Sequence, residues 1–361
     1  MIRKKIKYLY KDLIQKIFFF LYGKISVSKL KINKSDSGIL NPRTNLKYKI
    51  YEIEDARVFT DNNENLAIIK DNKIIPQMSF QQVKGELKSA KFNSVIIKGT
   101  NSFVKNITGN IFNLAQGGSG NNFFHFIFDI IPKIFILKSK INLSKIDFYY
   151  VSDPKKWQIK IFNMIGVKYK NLLSSKKYNH IYAKKIFTVD HPWYYNGKVQ
   201  TSVRNIPKWI IYLHRKNFLK KSLNIKCSKK IFLDRSSSEF NHCQIENFHI
   251  IKDLLKKNNF QIIKPEKISF RKQIHVFKNA SIIMGAHGAS FTNIIYCKTA
   301  TKIIEIMPFD HPSKKCQTIS KFLKFKYFRI KTKKNNFDKN YPYKILLEKK
   351  HLKLIQKIID L

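Results

Sequence analysis

The chain has 361 residues, 43% of them hydrophobic, which suits two domains with packed cores better than one. Its 70 Lys and Arg residues against 23 Asp and Glu give a formal net charge of +47, which would attract nucleic acid, anionic lipid or the phosphates of a nucleotide sugar. The lysines are scattered rather than grouped in one stripe, and Ile, Asn and Phe are also abundant, as in an AT-rich genome, so the charge alone does not indicate a nucleic-acid-binding protein.

Residues 1–24 are predicted to form a basic amphipathic helix. Basic residues precede a short apolar block, Ile17–Tyr22, that is far too short to span a membrane. The pattern resembles a signal peptide, but the Gly-Lys-Ile-Ser sequence that follows is a poor cleavage site. Two interpretations stay open: a helix that lies on an anionic membrane surface, and a terminal helix that packs on the adjacent domain.

Residues 45–200 are predicted to form an N-terminal α/β domain that begins with a small antiparallel meander. Asp-Asn turns separate its apolar runs. The expected elements are strands at Val58–Thr60, Leu66–Lys70, Lys73–Pro76, Ser94–Lys98 and Phe148–Val151, and a helix at Trp157–Ile165. Past Asp190-His-Pro-Trp193 the pattern is irregular, and a linker is expected near Asn196–Pro207.

An almost wholly apolar helix in this domain contains two polar residues, His125 and Asp129. Their spacing of four places both side chains on one helical face. A buried carboxylate needs a partner, so His125 could serve only to satisfy Asp129. The alternative is a general base and its orienting group facing a cleft.

The second half of the chain alternates regularly between strands and helices. Residues 207–330 are predicted to form a Rossmann-like domain with a parallel sheet, followed by a Lys-rich tail at 331–361 that is helical at its end and could cross back onto the first domain. The expected elements are strands at 230–233, 260–263, 281–284 and 302–306, and helices at 245–257, 270–279 and 290–296.

A glycine-rich loop between two of these strands reads Met284-Gly-Ala-His-Gly-Ala-Ser-Phe-Thr-Asn293. The glycines around His287 would let the backbone approach a ligand closely. The N–H groups of Gly288 and Ala289 could then bind a diphosphate at the start of the following helix. The alternative is a Gly-rich turn in which His287 only begins a helix.

The motifs in both halves resemble glycosyltransferase family 61, which includes bacterial capsule- and lipopolysaccharide-associated enzymes. The family's first motif, Asn-Tyr-Tyr-His-Trp-Leu-Leu-Asp-x-Leu-Pro-Arg, is similar to Asn122-Phe-Phe-His-Phe-Ile-Phe-Asp-Ile-Ile-Pro-Lys133. Its last motif is similar to His287-Gly-Ala-Ser-Phe-Thr-Asn293 and Glu305-Ile-Met-Pro308. The middle motif is half present: Phe232-Leu-Asp-Arg235 matches it, and Gln244-Ile-Glu246 is similar to a degenerate form of its helix start. No second Arg follows, and Asn241 and His242 stand near its place.

The resemblance implies a GT-B-like α/β fold with two Rossmann-like domains that face each other across a cleft. It also implies an inverting transfer of a sugar from a nucleotide sugar, with a UDP-sugar as the expected donor, to a glycan or lipid-linked acceptor in surface polysaccharide biosynthesis. Because the chain has no Asp-x-Asp motif, neither a metal nor another cofactor is expected, and fixed cations and helix N-termini would stabilise the leaving group.

The expected roles follow the motifs. Arg235 would bind phosphate, or else form a surface ion pair with Asp234 or Glu239. Glu305 would accept hydrogen bonds from the ribose hydroxyls, or serve as a helix-capping or ion-pair carboxylate at a strand end. Thr292 and Asn293 would bind the base or, more simply, cap the loop. Asp129 or His125 would be the general base.

The four cysteines form no Cys-x-x-Cys pair, which argues against a zinc site and fits a reducing cytoplasm. From the resemblance and the basic N-terminal helix, the expected partners are a nucleotide-sugar donor, a saccharide acceptor and an anionic membrane surface at the inner face of the cytoplasmic membrane. No nucleic-acid partner is expected. The main alternative is a non-catalytic family member that binds a nucleotide or a glycan at the membrane, because the second Arg is missing.

Overall fold

The structure is a computed structural model that describes residues 2–27, 31–60, 65–83, 85–116, 122–194, 197–198, 202–223, 225–237, 242–333 and 344–361. The chain divides into two compact units, Met1–Pro207 and Lys208–Leu361. Three residues named in the sequence analysis, Asn196, Glu239 and Asn241, lie outside the described residues.

The first unit combines a large sheet with short helices. Its helices are α1 (Ile2–Tyr22), α2 (Ser94–Lys98), α3 (Phe123–His125), α4 (Ile131–Lys138) and α5 (Lys156–Met164). Its strands are β1 (Ser26–Val27), β2 (Asn33–Asn41), β3 (Leu46–Phe59), β4 (Asn65–Lys70), β5 (Lys73–Ile74), β6 (Phe80–Val83), β7 (Glu86–Ser89), β8 (Lys105–Asn113), β9 (Phe148–Val151), β10 (Leu172–Ser174), β11 (His180–Val189) and β12 (Gly197–Lys198).

The sheet of the first unit is mixed, which differs from the Rossmann-like sheet that the sequence predicted. Strands β10, β9, β8 and β11 are parallel neighbours, and α3 and α4 lie between β8 and β9 in the chain. From β11 onward, β3, β4, β6, β7 and β12 are antiparallel. Short turns join many of these strands, and a short turn permits only antiparallel pairing. The predicted meander of β3, β4 and β5 is present as part of this larger sheet.

One predicted strand of the first unit is wrong. Ser94–Lys98 forms helix α2 although its Val-Ile-Ile run favours a strand. The Asn93 side chain accepts a hydrogen bond from the N–H of Val95 and caps the helix, and Gly99 ends it with a φ of 68°. Local capping therefore overrides the β propensity of three residues.

The second unit contains a five-stranded sheet between helices. Its elements are α6 (Lys208–Phe218), β13 (Lys230–Leu233), α7 (His249–Lys257), β14 (Gln261–Ile263), α8 (Phe270–Asn279), β15 (Ile282–Ala286), a 3₁₀ helix (Ala289–Tyr296), β16 (Lys302–Pro308), α9 (Lys315–Leu323), β17 (Lys326–Thr332) and α10 (Lys349–Asp360).

All five strands of this sheet are parallel, which confirms the prediction, and their order is β14-β13-β15-β16-β17. This is the doubly wound order 2-1-3-4-5, in which the chain changes direction across the sheet between its first and third strands. Ligands of such sheets bind outside the carboxyl ends of the strands at that switch point. In this unit the switch point lies between β13 and β15.

The strands beside the switch point pack closely because β15 has a glycine there. A Cβ atom on Gly285 would lie 2.9 Å from the carbonyl oxygen of Leu233 on β13. Only a residue without a side chain therefore fits between the two strands.

The C-terminal tail is helical at its end, as predicted, and its helix belongs to the second unit. Ile355, Ile358 and Ile359 of α10 are buried in the core that also contains Phe232 and Ile304 of the sheet. Among the described residues, no helix has both the length and the apolar character needed to cross a membrane.

Candidate functional site

The first group of candidate residues lies on the helix that begins at Phe123. The Asn122 side chain accepts hydrogen bonds from the N–H groups of Phe124 (3.0 Å) and His125 (3.3 Å) and starts the helix. The next turn, Phe126–Ile130, is π-helical and lies just before Pro132, which has no N–H to donate. Such turns occur frequently at functional sites.

Asp129 lies within this π-turn and is 1% exposed. Its Oδ2 accepts hydrogen bonds from Nδ1 of His125 (2.8 Å) and Nε2 of Gln116 (3.0 Å), and its Oδ1 accepts one from Nε1 of Trp193 (2.8 Å). Burial alone would raise the pKa of the Asp129 carboxyl, but the adjacent His125 and His191 lower it overall. Asp129 is therefore an ionised acceptor whose two oxygens are both engaged.

An ionised Asp129 determines which nitrogen of His125 is protonated. The Nδ1 atom facing the carboxylate must have the proton, which leaves a lone pair on Nε2. The His125 side chain is 12% exposed, whereas that of Asp129 is 2% exposed. The imidazole of His125 is thus the more exposed end of the pair, and the carboxylate of Asp129 orients it.

Two further residues, Gln116 and Lys133, hold Asp129 in place. Nζ of buried Lys133 donates to Oε1 of Gln116, which turns the Nε2 amide of Gln116 towards Asp129. Burial lowers the pKa of Lys133 to about 8, although Asp129 and Asp190 partly offset this effect. Lys133 stands where the family motif has Arg, and it orients the carboxylate through Gln116 rather than directly.

His191 completes this group, which we call the carboxylate cluster (Gln116, His125, Asp129, Lys133, His191 and Trp193). Nδ1 of His191 accepts a hydrogen bond from the backbone N–H of Tyr194 (2.9 Å), so its Nε2 faces Oδ2 of Asp129 at 3.5 Å. Burial lowers the pKa of His191, and Asp129 opposes this shift. Sequence reasoning missed Gln116, His191 and Trp193 as site residues, since they lie outside the helical motif; the Asp-His-Pro-Trp run was the one available signal.

The second group of candidate residues lies at the switch point of the second unit. Arg235 follows β13, Gly288 follows β15, and the guanidinium of Arg235 lies directly over the glycine. A Cβ atom on Gly288 would lie 1.4 Å from Nη1 of Arg235. Nη2 of Arg235 donates to the carbonyl of His242 at 3.0 Å. Burial lowers the pKa of Arg235, but a guanidinium keeps its charge in proteins.

Glu305, on β16, pairs with a histidine, as in the ion-pair interpretation that the sequence offered beside a ribose contact. It is 1% exposed; Oε1 is paired with Nδ1 of His287 (2.5 Å), and Oε2 accepts from the hydroxyl of Tyr327 (2.7 Å). Burial would raise the pKa of Glu305, but His287 and these hydrogen bonds lower it to about 2. Glu305 thus orients His287 as Asp129 orients His125, and its two oxygens are already engaged without a ribose.

Three more basic side chains surround Gly288. Nζ of Lys315, which is 4% exposed, donates to the carbonyl of Gly288 at 2.7 Å. The ring centroids of His287 and His311 are 4.3 Å apart, and those of His242 and His311 are 5.1 Å apart. Burial, together with neighbouring histidines, lowers the pKa of His242 to about 4 and that of His311 to about 2. The rings of His242 and His311 are therefore neutral at pH 7, beside half-buried Arg235 and buried Lys315.

We call Arg235, His242, His287, His311 and Lys315 the switch-point cluster. The sequence identified Arg235 and His287 but missed Lys315 and His311, which follow the last motif on the far side of β16. Thr292 and Asn293, by contrast, are fully buried in the 3₁₀ helix. The Asn293 amide donates to Oε1 of Gln273 on α8 at 2.8 Å and to the carbonyl of Ser290 at 3.3 Å, so it is engaged within the protein.

Among the described residues, histidines of this cluster and their neighbours form two sets with the geometry of metal ligands. His242, Cys243 and His311 form one set, and His287, Glu305 and Cys316 form the other; within each set the ligand atoms lie within 4.8 Å of one another. Burial raises the pKa of the Cys243 thiol to about 12, and a thiol must lose its proton to bind a metal. The neighbouring charges of Arg235 and Lys315 also favour an anion over a cation.

Comparison with known families identifies one family, whose matched range includes residues of both clusters. The model of the family Glycosyltransferase 61 matches residues 123–304, about half of the chain. The match begins at the first residue of α3 and ends in β16, one residue before Glu305. No curated protein matches the chain.

Proposed function

Since this chain belongs to the glycosyltransferase 61 family, we propose that it transfers a sugar from a nucleotide sugar, a UDP-sugar in the first instance, to a glycan or lipid-linked saccharide. In this proposal residues 207–330 bind the donor and residues 45–200 act on the acceptor, which is the division of labour of a GT-B enzyme. The reaction would serve the biosynthesis of a surface polysaccharide such as capsule or lipopolysaccharide, in the cytoplasm of a bacterium.

The switch-point cluster supports donor binding in the second unit. Half-buried Arg235 and buried Lys315 both contact the same glycine, at the end of a parallel sheet where ligands of such folds bind. A guanidinium and an ammonium there suit the two phosphates of a diphosphate. Lys315 supplies the second cation in place of the absent second Arg of the middle motif. This juxtaposition is the observation on which the donor assignment depends.

The carboxylate cluster supports a base on the acceptor side. The sequence left Asp129 and His125 as alternatives; the engagement of both Asp129 oxygens favours Nε2 of His125. Nε2 takes the proton of the acceptor hydroxyl while the acceptor oxygen forms a bond to the anomeric carbon. The bond from that carbon to the diphosphate breaks, and the nucleoside diphosphate leaves with the electron pair. A single displacement of this kind inverts the anomeric configuration.

We propose that the leaving diphosphate is stabilised without a divalent metal. The charges of Arg235 and Lys315 would offset the charge that develops on the diphosphate. Both are held in place before the reaction by hydrogen bonds to backbone carbonyls, so little reorganisation is needed.

The decisive experiment is a donor screen. Thermal shift against a panel of nucleotide sugars identifies a donor that binds the native fold, and a hydrolysis assay on each hit measures turnover. Lys315→Met should remove the shift, and Lys321→Met, at an exposed position on the same helix α9, should preserve it. No shift with any nucleotide sugar would contradict the donor assignment.

A second candidate function is a non-catalytic family member that binds a nucleotide or a glycan. The absent second Arg in the middle motif favours it. The same screen separates the two functions, because a non-catalytic member would bind a nucleotide sugar without hydrolysing or transferring it.

A further inference from the structure

One face of helix α1 contacts the rest of the first unit. Nε2 of Gln15 donates to the carbonyl of Ile97 at 2.8 Å, and the N–H of Val104 donates to the hydroxyl of Tyr22 at 3.0 Å. The rings of Phe18 and Phe103 pack edge to face with centroids 5.2 Å apart. The end of α1 is therefore fixed on the segment that includes α2.

The opposite face of α1 is apolar and exposed. Its residues and their exposed fractions are Ile6 60%, Leu9 70%, Tyr10 64%, Leu13 58%, Ile17 46%, Phe20 90% and Leu21 48%. At about 100° of rotation per residue these positions fall within an arc of roughly 120°, centred opposite the docked side chains. We call them the apolar stripe. Exposed apolar side chains grouped on one surface mark a binding site rather than chance exposure.

The helix with the stripe and the segment that holds it are both strongly basic. Residues 2–27 and the docking segment 90–105 contain ten Lys and Arg residues and a single acid, Asp12. Asp12 is paired with Lys16 at 2.8 Å. The exposed lysines of these segments include Lys16, Lys24, Lys91, Lys98 and Lys105. An apolar helical face within such a charge excess fits an anionic lipid surface better than an acidic or apolar protein partner. It provides both contributions to interfacial binding, the burial of apolar side chains and the attraction of basic residues to anionic headgroups.

We propose that the apolar stripe of α1 binds an anionic membrane surface, with the basic residues around it contacting lipid headgroups. Both interpretations of the N-terminal sequence then apply to the same helix, one to each face. The stripe would lie along the bilayer plane with its large side chains at the boundary of headgroups and acyl chains. The proposal does not depend on the transfer reaction, since no residue of either cluster belongs to α1.

The test is co-flotation of the full-length protein with vesicles of phosphatidylcholine alone or mixed with phosphatidylglycerol. The stripe variant has Leu9→Ser, Leu13→Ser and Phe20→Ser. The matched control has Leu40→Ser, Leu46→Ser and Tyr169→Ser, which remove apolar side chains of comparable exposure (55%, 61% and 65%) elsewhere in the unit. Wild type and control should bind the anionic vesicles, and binding should weaken as salt is added. The stripe variant should partition at least about 10-fold less.

Three results would overturn the proposal: equal partition of stripe variant and control, equal binding to neutral vesicles, or stripe-dependent dimers without vesicle binding. The last would make a second copy of the chain the partner. The single variant Phe20→Ser, at the most exposed position, gives the same comparison if the triple variant is unstable. Donor-induced thermal shift should be unchanged in both variants, so a failed lipid proposal stays distinct from a failed donor assignment.

Discussion

The guanidinium of Arg235 occupies the space that a side chain at position 288 would need. A Cβ on Gly288 would lie 1.4 Å from Nη1 and 2.3 Å from Cζ of Arg235. The φ of Gly288 is 170°, an extended conformation open to any residue, so Gly288→Ala adds a steric conflict without backbone strain. The end of a flexible side chain must move, and the fold need not.

Gly288→Ala should therefore act as a variant of Arg235. We expect nucleotide affinity to fall about 10- to 100-fold, as for loss of a charge-assisted phosphate contact, with the urea unfolding midpoint nearly unchanged. Isothermal titration with the donor's nucleoside diphosphate measures this loss, and Arg235→Ala should match it. Full affinity in Gly288→Ala would place the diphosphate away from Arg235.

Gly285→Ala should lower stability rather than nucleotide affinity, the reverse of Gly288→Ala. Its Cβ would lie 2.9 Å from the carbonyl oxygen of Leu233, a backbone atom that cannot move without separating β13 from β15. We expect a loss of stability of about 1–3 kcal/mol, as for an overpacked core, measured by urea unfolding. Wild-type stability in Gly285→Ala would mean that a side chain fits between β13 and β15.

His125→Ala should lower turnover by about 10²–10⁴-fold while leaving nucleotide affinity unchanged, because a general base acts on the acceptor. Asp129→Asn should give a similar loss, since an amide no longer orients His125. The double variant should be no slower than either single one if the two residues act as one unit. Trp193→Phe, which removes only the hydrogen bond to Oδ1, is the control and should cost far less turnover. If Asp129→Asn unfolds the protein and His125→Ala stays active, the pair has a structural role and not a catalytic one.

Turnover of the donor should survive chelation of divalent ions, because Arg235 and Lys315 are the proposed source of charge stabilisation. The measurement is initial rate with and without EDTA, after dialysis against chelator. His242 and His311 provide the control, since they belong to one set with metal-ligand geometry. Loss of rate in EDTA, regained with a metal in the wild type but not in His242→Ala, would show that this set binds a catalytic ion.

Stability should decrease as the pH falls below about 6.5. Burial lowers the pKa of His180 to about 4, of His242 to about 4 and of His311 to about 2, from 6.5 in the unfolded chain. Each histidine binds its proton more readily after unfolding, so its stabilisation is complete above pH 6.5 and is lost as the pH falls towards the folded pKa. The loss is of order 1–3 kcal/mol per histidine by about pH 4.5.

Urea unfolding at several pH values tests this dependence. His242→Asn should reduce the slope of stability against pH between the two pKa values. His249→Asn, at an exposed position of the same unit, should retain the wild-type slope. A slope that is the same in all three proteins would mean that His242 titrates alike in the folded and unfolded chains.

The second unit was predictable because its sequence is locally consistent. Its strands are short apolar runs separated by amphipathic helices, and Phe270–Asn279 begins and ends where the sequence indicated. The first unit was less predictable, since a pattern of strands does not determine which strands become neighbours. The run at Ser94–Lys98 shows the same limit on a smaller scale, because Asn93 and Gly99 outweighed its β-branched residues.

The candidate site could be predicted only where its residues lie within one motif. His125 and Asp129 are four residues apart on one helix, whereas Trp193 reaches Asp129 from 64 residues away. Lys315 lies on a helix that follows the last motif, and only the fold brings it to Gly288. The sequence could not show the partners of Glu305 for a related reason: it places a carboxylate at a strand end but does not reveal that Tyr327 of the next strand donates to it.

The arrangement at Gly288 joins parts of the chain that are far apart in sequence. Arg235 precedes Gly288 by 53 residues, and Lys315 follows it by 27. An anion held by both cations would act as a removable cross-link that closes two chain loops at once. Its binding energy would then oppose unfolding of the whole segment from β13 to α9, rather than stabilise a single loop. Hydrogen exchange should accordingly slow in strands that never touch the donor, and a cell depleted of that donor would contain a more easily degraded protein.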